Sequence, residues 1–196
     1  MKPVLSIITP HWNRFACLVQ CIQQVKRQTL RPIQHIVVSD GPSDDAREVC
    51  RHFDVEYLEL PTRCGDWGKP ALDLGLKHAR ADYVCFWDDD NLYPEDAAVK
   101  LLSAADGFDL GIVRIETWDK FHHKFVTVPR QWDFTIRSGD VDTSSGCVRR
   151  QFLRDGRITP GTVAPGKVDA DARLWMTIQQ RGGRVNFVPT TALSHV

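Results

Sequence analysis

Short apolar runs alternate with stretches of helical spacing along the first half of the chain. "VLSIIT" (4–9) is continuous and rich in branched side chains; it breaks at "PHWN" and passes into "RFACLVQCIQQVKRQ", whose apolar residues recur every three or four positions. The reading is strand, turn, helix. "QHIVVSD" (34–40) repeats the strand pattern and stops at "DGPSDD", where Gly, Pro and Ser are turn chemistry and the acids suit the start of a helix. Then come "VEYLEL" (55–60), the loop "PTRCGDWG", the helix "KPALDLGLKHARA" and a run at 83–87 that reads as a strand buried on both faces. The helix "PEDAAVKLLSAA" follows, with Pro94 placed for its first turn. Four strand-to-helix alternations predict an α/β fold: a Rossmann-like, mainly parallel sheet with right-handed crossovers and helices on both faces.

Near residue 109 the pattern changes. "DLGIVRIETW" and "KFVTVP" read as strands around a "DKFHH" turn, which predicts a smaller antiparallel region. A stretch rich in Gly, Ser and Arg runs to about residue 167 without a clear period. "VDADARLWMTIQQRG" regains helical spacing with Gly182 as its stop signal, and "RVNFVP" is the last strand. A chain of 196 residues suits one domain with a full core and is short for two, so residues 1–196 are read as a single domain.

Sheets of this kind bind ligands beyond the carboxyl ends of their strands. The polar residues of interest fall there: Thr9 to Asn13 after the first strand, Asp40 after the second, and Asp88, Asp89 and Asp90 after the fourth. Three adjacent carboxylates repel one another unless solvent, a helix N-terminus or a cation offsets the charge. Hard oxygen ligands suit Mg²⁺ or Mn²⁺, which bind through one or two carboxylates together with a substrate diphosphate. The blander account has the acids cap the helix that starts near Pro94, favourable by about 0.3 to 1 kcal/mol. Asp89 is assigned to that role, and Asp88 and Asp90 to the metal.

"VLSIITPHWNR", "QHIVVSDGPSDD" and "GKPALDLGLKHARADYVCFWDDDNLYPEDAAVKLL", in this order and spacing, resemble the nucleotide-sugar domain of family two glycosyltransferases, which have the GT-A fold. There are departures. His11-Trp12 stands where the family has Thr-Tyr, Ser39-Asp40-Gly41 keeps only the second acid of its D-D-G turn, and Asp73 replaces a frequent Asn. The resemblance implies a nucleoside-diphosphate sugar as donor, with residues 1–106 as the nucleotide-sugar half and 107–196 as the acceptor and catalytic-base half. It implies that Pro10, His11 and Asp40 meet the base and ribose, and that Asp88 and Asp90 are the D-x-D pair that holds Mn²⁺ or Mg²⁺. Lys69 adds charge to the diphosphate on this reading; otherwise it is a lysine opening an exposed helix.

"VDADARLW" resembles the family's E-D-x-x-L-W, whose aspartate is the base of inverting transfer. That alignment puts Asp171 on the base position and Ala170 where Glu is frequent; a shift by one gap would substitute Asp169. Either acid also suits a helix start. His195 resembles a late histidine that adds a metal ligand in some GT-A enzymes, whereas His122 and His123 read as turn residues.

The expectation is a metal-dependent inverting glycosyltransferase. Two alternatives stand beside it: a nucleotide-sugar binding domain without chemistry, and a nucleotidyltransferase acting on a sugar phosphate. The second normally carries a Gly-rich, Arg-containing loop after the first strand, which "TPHWNR" lacks. Lys plus Arg and Asp plus Glu balance at 25 each, so no global field draws the chain to a polyanion. Arg130, Arg137, Arg149, Arg150, Arg154 and Arg157 make the second half locally basic, which leaves the acceptor open between a glycan, a small molecule and a nucleic acid. Trp118, Trp132 and Trp175 are candidates for stacking or for core. Six scattered cysteines form no framework, and Cys17 and Cys21 read as core rather than ligands. With no obvious export signal and no membrane span, a cytoplasmic location is expected, while the oligomeric state stays open.

Overall fold

The computed structural model describes residues 2–119, 122–130, 135–137, 140–153 and 170–195. The first half alternates β1 (Leu5–His11), α1 (Phe15–Arg27), β2 (Ile33–Ser39), α2 (Asp44–Phe53), β3 (Glu56–Glu59), α3 (Lys69–His78), β4 (Tyr83–Phe86) and α4 (Ala97–Ala105). Local chemistry accounts for the boundaries. In α1, Leu18, Cys21, Ile22 and Val25 form a buried stripe, while Lys26 and Arg27 sit in the last turn, where cations favour the helix dipole. Ser43 caps α2 by accepting from the Ala46 N–H at 3.2 Å, ahead of Asp44 and Asp45 in the first turn.

β3, β2, β1 and β4 lie side by side in that order and run parallel. Because the chain moves from β1 outward to β3 and then returns to β4 on β1's other side, strand order reverses at β1. The carboxyl ends of β1 and β4 therefore flank a topological switch point, where open α/β sheets place their ligands. Beyond β4 the sheet continues with β7 (Gly146–Arg149), β5 (Leu110–Asp119) and β6 (Lys124–Val128) in antiparallel pairing, while β8 (Val185–His195) runs parallel to β5. The last described helix is α5 (Ala170–Gln180).

Both faces of the sheet are covered. Ile8, Ile36 and Val38 pack with Leu72 and Leu76 of α3 and with Leu174, Trp175 and Ile178 of α5. On the opposite face Ile7 and Cys85 pack with Leu101 and Ala104 of α4, and Val37 with Leu18, Ile22 and Val49 of α1 and α2. This is the expected mostly parallel α/β sheet flanked by helices.

Three details differ from the sequence reading. Pro94 lies ahead of α4 rather than in its first turn, and its carbonyl accepts from Ala97 N–H and Gln28 Nε2. β7 carries only four residues and follows a 3₁₀ turn, too short for a visible alternation. The last strand runs eleven residues to His195 instead of ending at Pro189, because its outer half continues to pair with β5 across a register shift.

Candidate active site

A cleft of about 590 Å³ opens over the carboxyl ends of the parallel strands, and Pro10, His11, Asp40, Lys69, Asp88, Asp90 and Asp171 all line it. The β1–β4 register, Ile8 opposite Phe86, continued three residues places His11 beside Asp89. There the His11 ring N–H donates from Nδ1 to Asp89 Oδ2 at 2.7 Å, with both side chains buried. Arg14, in the turn after β1, sets one guanidinium nitrogen 2.5 Å from Asp89 Oδ1 and pairs a second with Asp90. Asp89 is thus a buried hydrogen-bond acceptor for His11 and the counter-charge to Arg14. It does not cap α4, which begins at Ala97 behind Asp96.

Asp88 has no such relief: among the described residues no side chain donates to its carboxylate. Burial, and then the charges of Asp142, Asp171, Asp90 and Asp89, hold its carboxyl well above the ordinary range. Asp142 is not among the residues that the sequence reading picks out. It precedes the 3₁₀ turn Thr143–Ser145 and accepts the Ser144 N–H at 2.8 Å. In the first turn of α5, Asp171 accepts a hydrogen bond from the Thr143 hydroxyl on Oδ1. Four carboxylates from three parts of the chain (Asp88 and Asp90, Asp142, Asp171) therefore share one cleft. Hard oxygen donors beside an unrelieved carboxylate fit a divalent cation. Among the described residues no three His, Cys, Asp or Glu side chains stand preassembled as a ligand set.

The other end of the cleft is built by the loop between β3 and α3. Asp40 is buried, and its oxygens accept the Cys64 and Gly65 N–H groups at 2.8 Å each. Gly65, Asp66, Trp67 and Gly68 all have positive φ (69°, 53°, 56° and 74°), a left-handed turn that a tryptophan rarely enters. A Cβ at Gly68 would lie 2.9 Å from Pro10, so glycine lets the turn close on β1. The turn leaves Trp67 77% exposed at the cleft. Beside it the Arg63 guanidinium lies 4.9 Å from the Trp12 ring centre. Lys69 lines the cleft and is buried, unlike the exposed helix-opening lysine of the alternative reading, and its ammonium donates to Asp66 Oδ1 at 2.9 Å.

The remaining candidates separate clearly. β8 is bridged at Ser194 to Leu92, with N–H to carbonyl distances of 2.9 and 3.0 Å, so the backbone of His195 runs beside the acidic segment; its side chain is outside the described residues. Asp169, Trp132, Arg154 and Arg157 are also outside them. Trp175 is core, and Trp118 packs edge-on against Phe125 on the β5–β6 hairpin, whose turn holds His122 and His123. Arg149 and Arg150 do not build a basic acceptor patch at the cleft. They sit at the far end of β4, where Arg149 pairs with Asp109 at 3.4 Å and Arg150 donates to the Ala81 carbonyl at 2.6 Å. Cys21 is buried against Thr9 with its thiol pushed up to about 12, which disfavours a thiolate ligand. No helix among the described residues is long and apolar enough to cross a membrane.

Known proteins resemble this chain in sequence and in fold. The profile of the family described as Glycosyl transferase family 2 matches residues 6–156. The glycosyltransferase GlyG of Streptococcus pneumoniae is 26% identical over 118 residues, covering 58% of this chain and 38% of GlyG. Among solved structures, Staphylococcus aureus TarS in complex with UDP-GlcNAc superposes with a TM-score of 0.72 at 15% identity, over 100% of this chain and 58% of that one. The mannosyltransferase PcManGT of Pyrobaculum calidifontis, in complex with GDP-Man and Mn²⁺, gives 0.71 at 17% identity, over 100% and 57%. The chain thus spans 38% of GlyG and 58% and 57% of the two solved chains.

Proposed function

The chain belongs to glycosyl transferase family 2, and from that premise we propose that it transfers a sugar, with inversion, from a nucleoside-diphosphate sugar to a hydroxyl acceptor. The observation that carries the reading is the meeting of Asp88, Asp90, Asp142 and Asp171 in one cleft at the β1–β4 switch point, with Asp88 unrelieved. Asp88 and Asp90 would hold Mn²⁺ or Mg²⁺. When bound, the ion neutralises the charge gathering on the departing diphosphate.

Everything else falls to side chains of the chain itself. Asp40 fixes the loop that carries Arg63 and Trp67, and with Pro10 and His11 it bounds the space for base and ribose. Lys69 adds positive charge near the diphosphate, tempered by Asp66. Asp171 is the general base: it takes the acceptor hydroxyl's proton as that oxygen bonds to the anomeric carbon and the bond from this carbon to the diphosphate oxygen breaks. One base and one direct displacement invert the anomeric configuration. The acceptor is a glycan, a small molecule or a nucleic acid hydroxyl.

Two neighbours in the fold carry UDP-GlcNAc and GDP-Man, so the first test is calorimetric titration with both, in Mn²⁺ and in EDTA. Binding in Mn²⁺ that is lost in EDTA is expected for at least one. Equal affinity in the two conditions would overturn the assignment of Asp88 and Asp90.

A further inference from the structure

The 3₁₀ turn Thr143–Ser145 has no place in the transfer chemistry above, yet it is tied to both parts of the site. Toward the donor acids, Asn91 is buried and its amide donates to Ser144 Oγ at 3.2 Å and to Tyr93 Oη at 3.3 Å; Tyr93 in turn donates to the Asp88 carbonyl at 3.2 Å. Toward α5, the Trp175 indole N–H donates to the Asp142 carbonyl at 3.2 Å. Ser145 Oγ donates to that same carbonyl at 2.6 Å. Gly146 lets the helix seat this closely, since a Cβ there would fall 2.5 Å from the Trp175 ring.

At the centre of this brace is Thr143, whose buried hydroxyl donates to Asp171 Oδ1. A carboxylate at the first turn of a helix has several rotamers open to it about its own side-chain bonds. A hydroxyl fixed by the packed 3₁₀ turn restricts that choice and sets the carboxylate plane relative to Asp88 and the rest of the cleft.

We propose that Thr143 is the positioning residue of the catalytic base: it holds the Asp171 carboxylate where it receives the acceptor's proton, and through Ser144 and Asn91 it is indexed to the donor acids. The inference rests on the reading of Asp171 as base. It gives the "DTSSG" segment a function in turnover rather than in donor binding.

Thr143→Val keeps the volume and loses the hydroxyl; Thr143→Ser keeps the hydroxyl and loses a methyl group. The assay is release of nucleoside diphosphate with Mn²⁺ and water as acceptor, using whichever of UDP-GlcNAc and GDP-Man the wild type hydrolyses faster. Donor affinity is measured by calorimetry, and Asp171→Asn is run alongside. Thr143→Val is expected to lower kcat about tenfold to a hundredfold, as for loss of a hydrogen bond to a charged group, with donor affinity unchanged. Thr143→Ser is expected to stay within a few-fold of wild type. A packing role reverses that order, because the isosteric valine would be tolerated and the serine would not; that result overturns the proposal. A dead Asp171→Asn beside a fully active Thr143→Val refutes the positioning role alone, whereas an active Asp171→Asn removes the base itself.

Discussion

Replacing Asp88 by Asn should stabilise the metal-free protein while abolishing donor binding. In the folded state the carboxyl is pushed well above its ordinary range by burial and by Asp142, Asp171, Asp90 and Asp89. A raised carboxyl binds its proton more tightly when folded than when unfolded. Ionising it therefore costs stability progressively as pH rises from the ordinary carboxylate range through the raised folded value. Each tenfold gain in proton affinity on folding is worth about 1.4 kcal/mol, and about 1 kcal/mol moves Tm by roughly 2–4 °C for a chain of this size. Asparagine removes the charge and offers an amide to the neighbouring carboxylates. In EDTA at pH 8, Asp88→Asn should melt about 3–6 °C above wild type for each such tenfold step, with the gap closing towards pH 4. With Mn²⁺ and nucleoside diphosphate at a hundredfold excess over Kd, wild type alone should gain about 2.7 kcal/mol. Differential scanning fluorimetry over this grid reads both effects. A variant that melts below wild type in EDTA at pH 8 would refute the reasoning, since it would mean the Asp88 charge is already stabilised by the protein.

Two further perturbations probe the walls of the cleft. Asp40→Ala strands the Cys64 and Gly65 N–H groups, so it should cost at least about 2 kcal/mol in urea unfolding and weaken nucleoside diphosphate binding whatever the sugar; unchanged affinity by calorimetry would remove Asp40 from the site. Arg14→Met leaves Asp89 with His11 alone and Asp90 without its partner; because Arg14 is itself half exposed, the loss should be about 1–2 kcal/mol, measured by the same unfolding.

The first half of the chain is readable because its cues are local. Branched runs before "PHWN", "DGPS" and "DDDN" end strands, and parallel topology then brings those ends together without further information. What sequence does not show depends on partners distant along the chain. Asp89 reads as a helix cap because its partners, His11 and Arg14, lie on β1 and the turn behind it. Asp142 and Thr143 stand beside and in a 3₁₀ turn of three residues, which carries no periodicity; the one local cue is the Asp-Thr-Ser-Ser series, in which the acid caps the turn. The basic reading of the second half fails for Arg149 and Arg150 because β7 is antiparallel to β4 and ends beside the amino end of that strand, away from the cleft. Trp67 reads as loop, although its place between two glycines in "CGDWG" marks the left-handed turn that exposes it.

The central claim is direct displacement at the anomeric carbon with Asp171 as base. Proton NMR of the sugar released from a configurationally defined donor, followed from the first minutes for wild type and Asp171→Asn, tests it most directly. The account predicts that wild type first forms the anomer opposite to the donor's. Asp171→Asn should form it about 10² to 10⁴ times more slowly at unchanged donor affinity. A first-formed product with the donor's own configuration, or a wild-type rate from Asp171→Asn, would contradict the account.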